Sequence, residues 1–191
     1  MKSIMQMALG ADWNRLPPAL QAHYRFGCTI DNGHLDIAYP RFMQPCLSLL
    51  RCFGILVNRC GEGVPTVVRK DVQGELQHWQ RTMSYGDGQT LTFNSRWAWA
   101  GGNRLIEWVN PFLGLQMAVQ VHEGNLHYEG MCFVLRLGPL QLPIPEALLL
   151  GHTRIVETAL DDNRFAMDFR LIHPILGQTF SYAGTFAATP G

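Results

Sequence analysis

Six side chains carry most of the chemistry this sequence offers: Trp79, Arg81, Tyr85, Glu157, His173 and Tyr182. Three of them recur at alternate positions in Glu75 to Tyr85, ELQHWQRTMSY. Read as a strand, this stretch puts Gln77, Trp79, Arg81, Met83 and Tyr85 on one face and Leu76, His78, Gln80, Thr82 and Ser84 on the other. Arg81 therefore points where Trp79 and Met83 point, and a guanidinium in an apolar interior costs several kcal/mol unless a carboxylate, carbonyl or ligand meets it. Other polar groups also stand on apolar faces. Glu157 shares a face with Ile155, His173 ends the row Phe165, Met167, Phe169, Leu171, and Tyr182 lies between Phe180 and Gly184. If these faces converge, Arg81 pairs with Glu157 while His173 and Tyr182 add hydrogen bonds. Such a set could anchor the head of an apolar or amphipathic ligand in a mostly apolar pocket. It could also act on a lipophilic metabolite, with His173 or Glu157 as general base and Arg81 as anion clamp. The third reading is a structural network in which the groups satisfy one another and His173 merely caps a strand before Pro174.

Other chemistries lack their motifs. No GxGxxG, GxxxxGK[ST] or GxSxG occurs, and His122 and His127, five apart across a turn, form neither HExxH nor a helical pair, so neither a metal nor a cofactor is expected. Lysine plus arginine equals aspartate plus glutamate at 15 each in 191 residues, which gives no overall field toward nucleic acid. Charged residues are 16% against 47% hydrophobic, a balance that points to a large core, a partner surface or an apolar cavity. Cys28, Cys46, Cys52, Cys60 and Cys132 form no CxxC pair and are odd in number, which suits a reducing compartment. MKSIMQMALGADW is too polar for a secretory core, and the expectation is a cytoplasmic protein.

The elements that must position these residues are mainly strands, and 191 residues fit one β-rich domain, 1–191. Residues 1 to 26 carry a helix signal, with Asp12 or Asn14 as cap, Pro17 and Pro18 in a first turn and Leu16, Leu20, His23 and Tyr24 on one side. His23 reads as a packing residue. Cys28 to Tyr39 reads as a hairpin turning at Asp31-Asn32-Gly33. The apolar run from Cys46 to Val57 is too short to span a bilayer and has Arg51 in its middle, so there is no transmembrane segment. It reads as a covering helix near 42–58, or as an interfacial helix making peripheral membrane contact through 46–57; the same patch could serve a homodimer. From Val64 onward the period is two, in hairpins through Gly101-Gly102-Asn103, Glu123-Gly124-Asn125, Asp161-Asp162-Asn163 and Pro174 to Gly177. Gly138-Pro139 and LPIPEALL interrupt at a corner. The expected architecture is one antiparallel sheet rolled into a barrel or half-barrel, with an N-terminal and a covering helix. A helix-grip α+β arrangement is the alternative.

Several short motifs are similar to those of an uncharacterised bacterial family of domains of unknown function: LPPALQAHY (Leu16 to Tyr24), HWQRTM (His78 to Met83), the Gly138 to Leu149 stretch and HPILGQTFSYAGTF (His173 to Phe186). This chain has Met83 where the family tends to have Phe, a swap that keeps volume. The resemblance implies a domain found alone or fused C-terminal to saccharopine-dehydrogenase-like or short-chain-type oxidoreductases, and it implies no reaction. Taken with the residues, the expected function is non-catalytic binding of an apolar or amphipathic small molecule inside a β-barrel. An enzyme on such a metabolite, and a protein- or membrane-surface interaction domain, are the alternatives.

Overall fold

Alternation of apolar and polar residues, sustained from Val64 to Phe186, lets a single sheet close on itself and hide one face completely. The computed structural model describes residues 1–190. Its strands are β1 (Thr29–Ala38), β2 (Gly61–Gln73), β3 (Leu76–Ser84), β4 (Thr90–Trp99), β5 (Arg104–Trp108), β6 (Leu113–His122), β7 (Asn125–Leu137), β8 (Leu140–Ile144), β9 (His152–Ala159), β10 (Arg164–His173) and β11 (Gly177–Pro190). They form one sheet in the order β6-β5-β4-β3-β2-β1-β11-β10-β9-β7-β8, and an additional β6–β7 pairing closes ten strands into an antiparallel barrel. β8 stays outside that ring because β7 forks, its first half pairing with β9 at Leu126–Glu129 and its second half with β8 at Phe133–Leu137. Closure removes the open edges that invite aggregation.

Helices α1 (Ile4–Leu9), α2 (Pro18–Tyr24) and α3 (Gln44–Cys52) attend the barrel. α1 opens on a capping box in which Ser3 Oγ accepts from the Gln6 amide at 3.2 Å and Gln6 Oε1 accepts from the Ser3 amide at 2.8 Å. α1 packs on β4, β5 and β6, and α2 on β9, β10 and β11. α2 buries Ala19, Leu20, His23 and Tyr24, so it brings polar as well as apolar side chains inward. The helix-grip alternative is overturned, because no helix among the described residues exceeds the nine residues of α3.

Local departures from the sequence reading have physical causes. The N-terminal signal resolves into two helices joined by a 3₁₀ segment, Gly10–Arg15, and Asp12 binds Arg15 at 3.0 Å instead of capping. The covering helix ends at Cys52, and Gly54, at a φ of 72°, turns the chain into the irregular segment Ile55–Val57. Asp31-Asn32-Gly33 is no turn: β1 runs straight through it, pairing with β2 on one side and β11 on the other. Gly33 is needed for close approach, since a β-carbon there would strike the Thr185 carbonyl and the Phe186 ring. No helix among the described residues is long and apolar enough to cross a membrane.

Candidate functional site, a lidded cavity floored by buried charge

β3 supplies the centre of the barrel interior. Its burial alternates so that Gln77, Trp79, Arg81 and Met83 face inward, as the period of two requires. Arg81 is 6% exposed. Its Nη2 lies 3.1 Å from Glu107 Oε1 on β5, and its Nη1 donates to Ser95 Oγ of the intervening β4 at 2.9 Å. Trp97, also on β4, donates Nε1–H to the same Glu107 oxygen at 3.1 Å. The guanidinium stands 4.8 Å from the Trp79 ring centre and 5.2 Å from that of Phe93. Arg81 is thus paired, hydrogen-bonded and stacked, which makes a buried charge tolerable.

Above this pair lies a cavity with a free volume of about 50 Å³. Arg81, Glu107 and Tyr182 provide its polar lining, and the rest is apolar, from Leu35, Met83, Phe93, Phe169 and Phe180 among others. Ile55, Leu56 and Val57 form its lid. The lid is tied down at both ends: Asn110 Nδ2 donates to the Phe53 carbonyl at 3.2 Å, and Gln44 Nε2 donates to the Asn58 carbonyl at 2.9 Å. Burial pushes the Tyr182 phenol up, more than the attraction of Arg81 lowers it, so it stays a neutral donor.

A second buried cluster occupies the interior beneath α2. Lys70 on β2 and Asp31 on β1 are both 0% exposed and pair at 2.8 Å. His23 Nδ1 stands 2.6 Å from Lys70 Nζ and 2.8 Å from Asp31 Oδ2, and Lys70 also donates to the His23 carbonyl at 2.6 Å. Lys70 Nζ thus sits among the Asp31 carboxylate and the Nδ1 and carbonyl of one histidine, with Nδ1 itself between the ammonium and the carboxylate. Burial lowers His23 to about 4, outweighing the rise that Asp31 causes. Asp31 is held at about 2, because His23 and Lys70 together overcome its burial. Lys70 is lowered to about 8 by burial against the opposing pull of Asp31.

Glu157 on β9 extends this cluster. Tyr128 donates to Tyr24 across a short contact, and Tyr24 donates to Glu157 Oε1 at 2.7 Å. Burial raises Glu157 to about 7, partly offset by Tyr24 and by the charge of Lys70. Asp31 balances Lys70 and Glu107 balances Arg81, which leaves Glu157 as the odd acid. Its Oε2, His23 Nε2 and Trp79 Nε1 have no hydrogen-bond partner among the described residues. Trp79 separates the two clusters, with Lys70 Nζ 4.6 Å from its ring centre and the Trp97 ring stacked at 5.1 Å.

Of the six residues singled out by sequence, Arg81 and Tyr182 line the cavity. Trp79 backs Arg81. Glu157 is buried but belongs to the α2 cluster, and the carboxylate on Arg81 is Glu107 instead. Tyr85 braces the lid base, donating to the Arg59 carbonyl at 3.0 Å beneath the Arg59 guanidinium. His173 lies outside the cavity, where its Nδ1 accepts from the Ile175 and Leu176 amides, each at 3.2 Å, and so fixes the turn after β10. Sequence reasoning missed Glu107, Lys70, Asp31, Tyr24 and Tyr128. Lys70 had a usable signal, since it continues the inward row Val64, Thr66, Val68.

A closed antiparallel barrel with a lidded apolar cavity and paired charges in its interior defines a β-barrel domain of enclosed-interior type. The chain belongs to the family described as domain of unknown function DUF4166, whose match covers residues 16–186, from Leu16 just ahead of α2 to Phe186 on the last strand. No curated protein and no solved structure matches it.

Proposed function

We propose that the barrel binds an apolar or amphipathic small molecule beneath the Ile55–Val57 lid, with Arg81 and Tyr182 meeting its polar end. The observation that carries this reading is the wall chemistry of the cavity: apolar side chains on all sides, and two donors, Tyr182 and the Glu107-paired Arg81, at one place. Few polar groups set into an apolar wall fix a ligand's orientation without much affinity of their own. The free volume of about 50 Å³ is smaller than such a ligand, so the ligand enters by displacing Phe53–Val57 about Gly54. Fusion to oxidoreductases, which the sequence resemblance implies, would fit a role beside small-molecule metabolism.

Native mass spectrometry of freshly purified protein, compared with the denatured chain and its organic extract, tests this reading. The expected result is a defined added mass that leaves on unfolding and appears in the extract. A bare native mass, together with no quenching of interior tryptophans by added fatty acids or isoprenoid alcohols, overturns it.

A further inference from the structure

We propose that the lid end of the barrel docks on the surface of an anionic lipid bilayer. The surface stands on its own geometry; only the idea that the bilayer supplies the cavity's ligand rests on the function proposed above.

Four separate segments meet at this end. The lid side of α3 joins the β5–β6 turn where Asn110 binds the Phe53 carbonyl. The 145–151 connection before β9 joins the β10–β11 turn, because Gly151 packs directly on the backbone of His173. Ile55, Val109, Leu150 and Leu171, one from each segment or its flank, converge on the cavity from above. Large apolar side chains point outward from the same segments, alongside Arg41 and Gln44. Phe42, Leu49, Phe53, Phe112, Leu148 and Ile175 are each 58–86% exposed. Scattered exposed hydrophobics need no explanation, but large ones on four loops around a single mouth do.

Charge selects the occupant. The segments 41–57, 109–112, 145–151 and 174–176 contain two basic residues, Arg41 and Arg51, neither with an acidic partner among the described residues. Their one acid, Glu146, is 7% exposed and turned inward, where it accepts from the Thr153 amide at 3.0 Å and contacts His152 at 2.7 Å. A second copy of the chain would bring the same arginines, and the carboxylate of the adjoining β3–β4 turn, Asp87, is already paired with Arg59 at 2.8 Å. Anionic headgroups meet both while the acyl boundary takes the aromatic and leucine side chains, the arrangement of interfacial segments generally. The ring surrounds the cavity's lid, so an apolar molecule could pass between bilayer and interior without crossing water.

Flotation of the full chain with phosphatidylcholine vesicles, with and without phosphatidylglycerol, tests the docking. The intact chain is expected to float with the anionic vesicles and to lose that binding in high salt. Leu49→Glu/Phe53→Glu abolishes it, Arg51→Gln weakens it about fivefold, and Phe26→Glu, beyond α2 in the segment leading to β1, leaves it unchanged. Circular dichroism melts confirm that each variant is folded. Failure of the folded intact chain to float with either vesicle overturns the proposal, as does equal loss in Phe26→Glu. Monomerisation of a dimer by Leu49→Glu/Phe53→Glu, without vesicle binding by the intact chain, assigns the face to a second copy and also overturns it. A ligand found by mass spectrometry without flotation leaves the cavity reading intact, and flotation without a ligand does the reverse.

Discussion

Arg81 and Glu107 pair at 3.1 Å across a strand, since β3 and β5 are not neighbours and β4 runs between them. Ser95 and Trp97 of β4 complete the pair from below, so three consecutive strands are cross-linked inside the barrel. Removing one partner strands the other charge in a dry interior. Arg81→Met is therefore expected to lower stability by about 3–5 kcal/mol, and Glu107→Leu similarly. Arg81→Met/Glu107→Gln keeps an acceptor for Trp97 and removes both charges, so it recovers most of the loss. Urea unfolding of the three variants checks this; additive effects in the double variant would show that the pair is not coupled.

The α2 cluster makes two opposed contributions to stability against pH. His23 stands at about 4 in the fold against 6.5 free, so the stability its neutral form contributes is present above 6.5 and is lost as pH falls through 4. Glu157 stands at about 7 against 4.5, so its contribution is complete below 4.5 and is lost as pH rises through 7. Between these limits the slopes oppose, with Asp31, Lys70, Arg81 and Tyr24 facing the two groups and Tyr128 near Glu157. Glu157→Gln removes one slope and is expected to leave stability falling toward acid by at most about 1.4 kcal/mol per pH unit. Denaturant midpoints measured across that range decide it, and a flat profile in Glu157→Gln refutes the account.

Sequence periodicity told which face each strand hides but not which strands stand opposite. The inward row of β3 and the inward charge of Arg81 were legible because alternation alone assigns a face. Its partner was not, because Glu157 and Glu107 both alternate inward and only the strand order brings Glu107 near. Asp31 was hidden by its neighbours: Asp-Asn-Gly carries turn chemistry, and only the closeness of β11 explains the glycine within a strand. His173 shows the reverse case, a polar residue at the end of an apolar row that serves the next turn.

Two glycines hold β1 and β11 together without any special backbone angle. A β-carbon on Gly184 would strike the His34 carbonyl, and Gly33 is crowded from the opposite strand. Gly184→Ala is expected to cost ~3 kcal/mol by forcing the strands apart. Gly86→Ala, in the β3–β4 turn with open space around it, should stay within about 0.5 kcal/mol of the parent. Thermal melts of the two variants side by side make the comparison.

Filling the cavity distinguishes a ligand in the barrel from one held on the surface. Leu150 lines the lid end of the cavity, is 7% exposed, and is anchored through its carbonyl, which accepts from Thr179 Oγ1 at 2.6 Å. That bond involves backbone, so Leu150→Phe keeps it while pushing a ring into the free space above Arg81. Extra carbon in an existing void adds contacts instead of strain, and the melting temperature is expected to hold or rise slightly. The added mass seen by native mass spectrometry should then disappear, although the Arg81–Glu107 pair and the exposed mouth are untouched. Retention of the same mass at the same occupancy in Leu150→Phe would place the ligand outside this cavity, since a molecule resting on the mouth has no reason to sense a side chain beneath the lid.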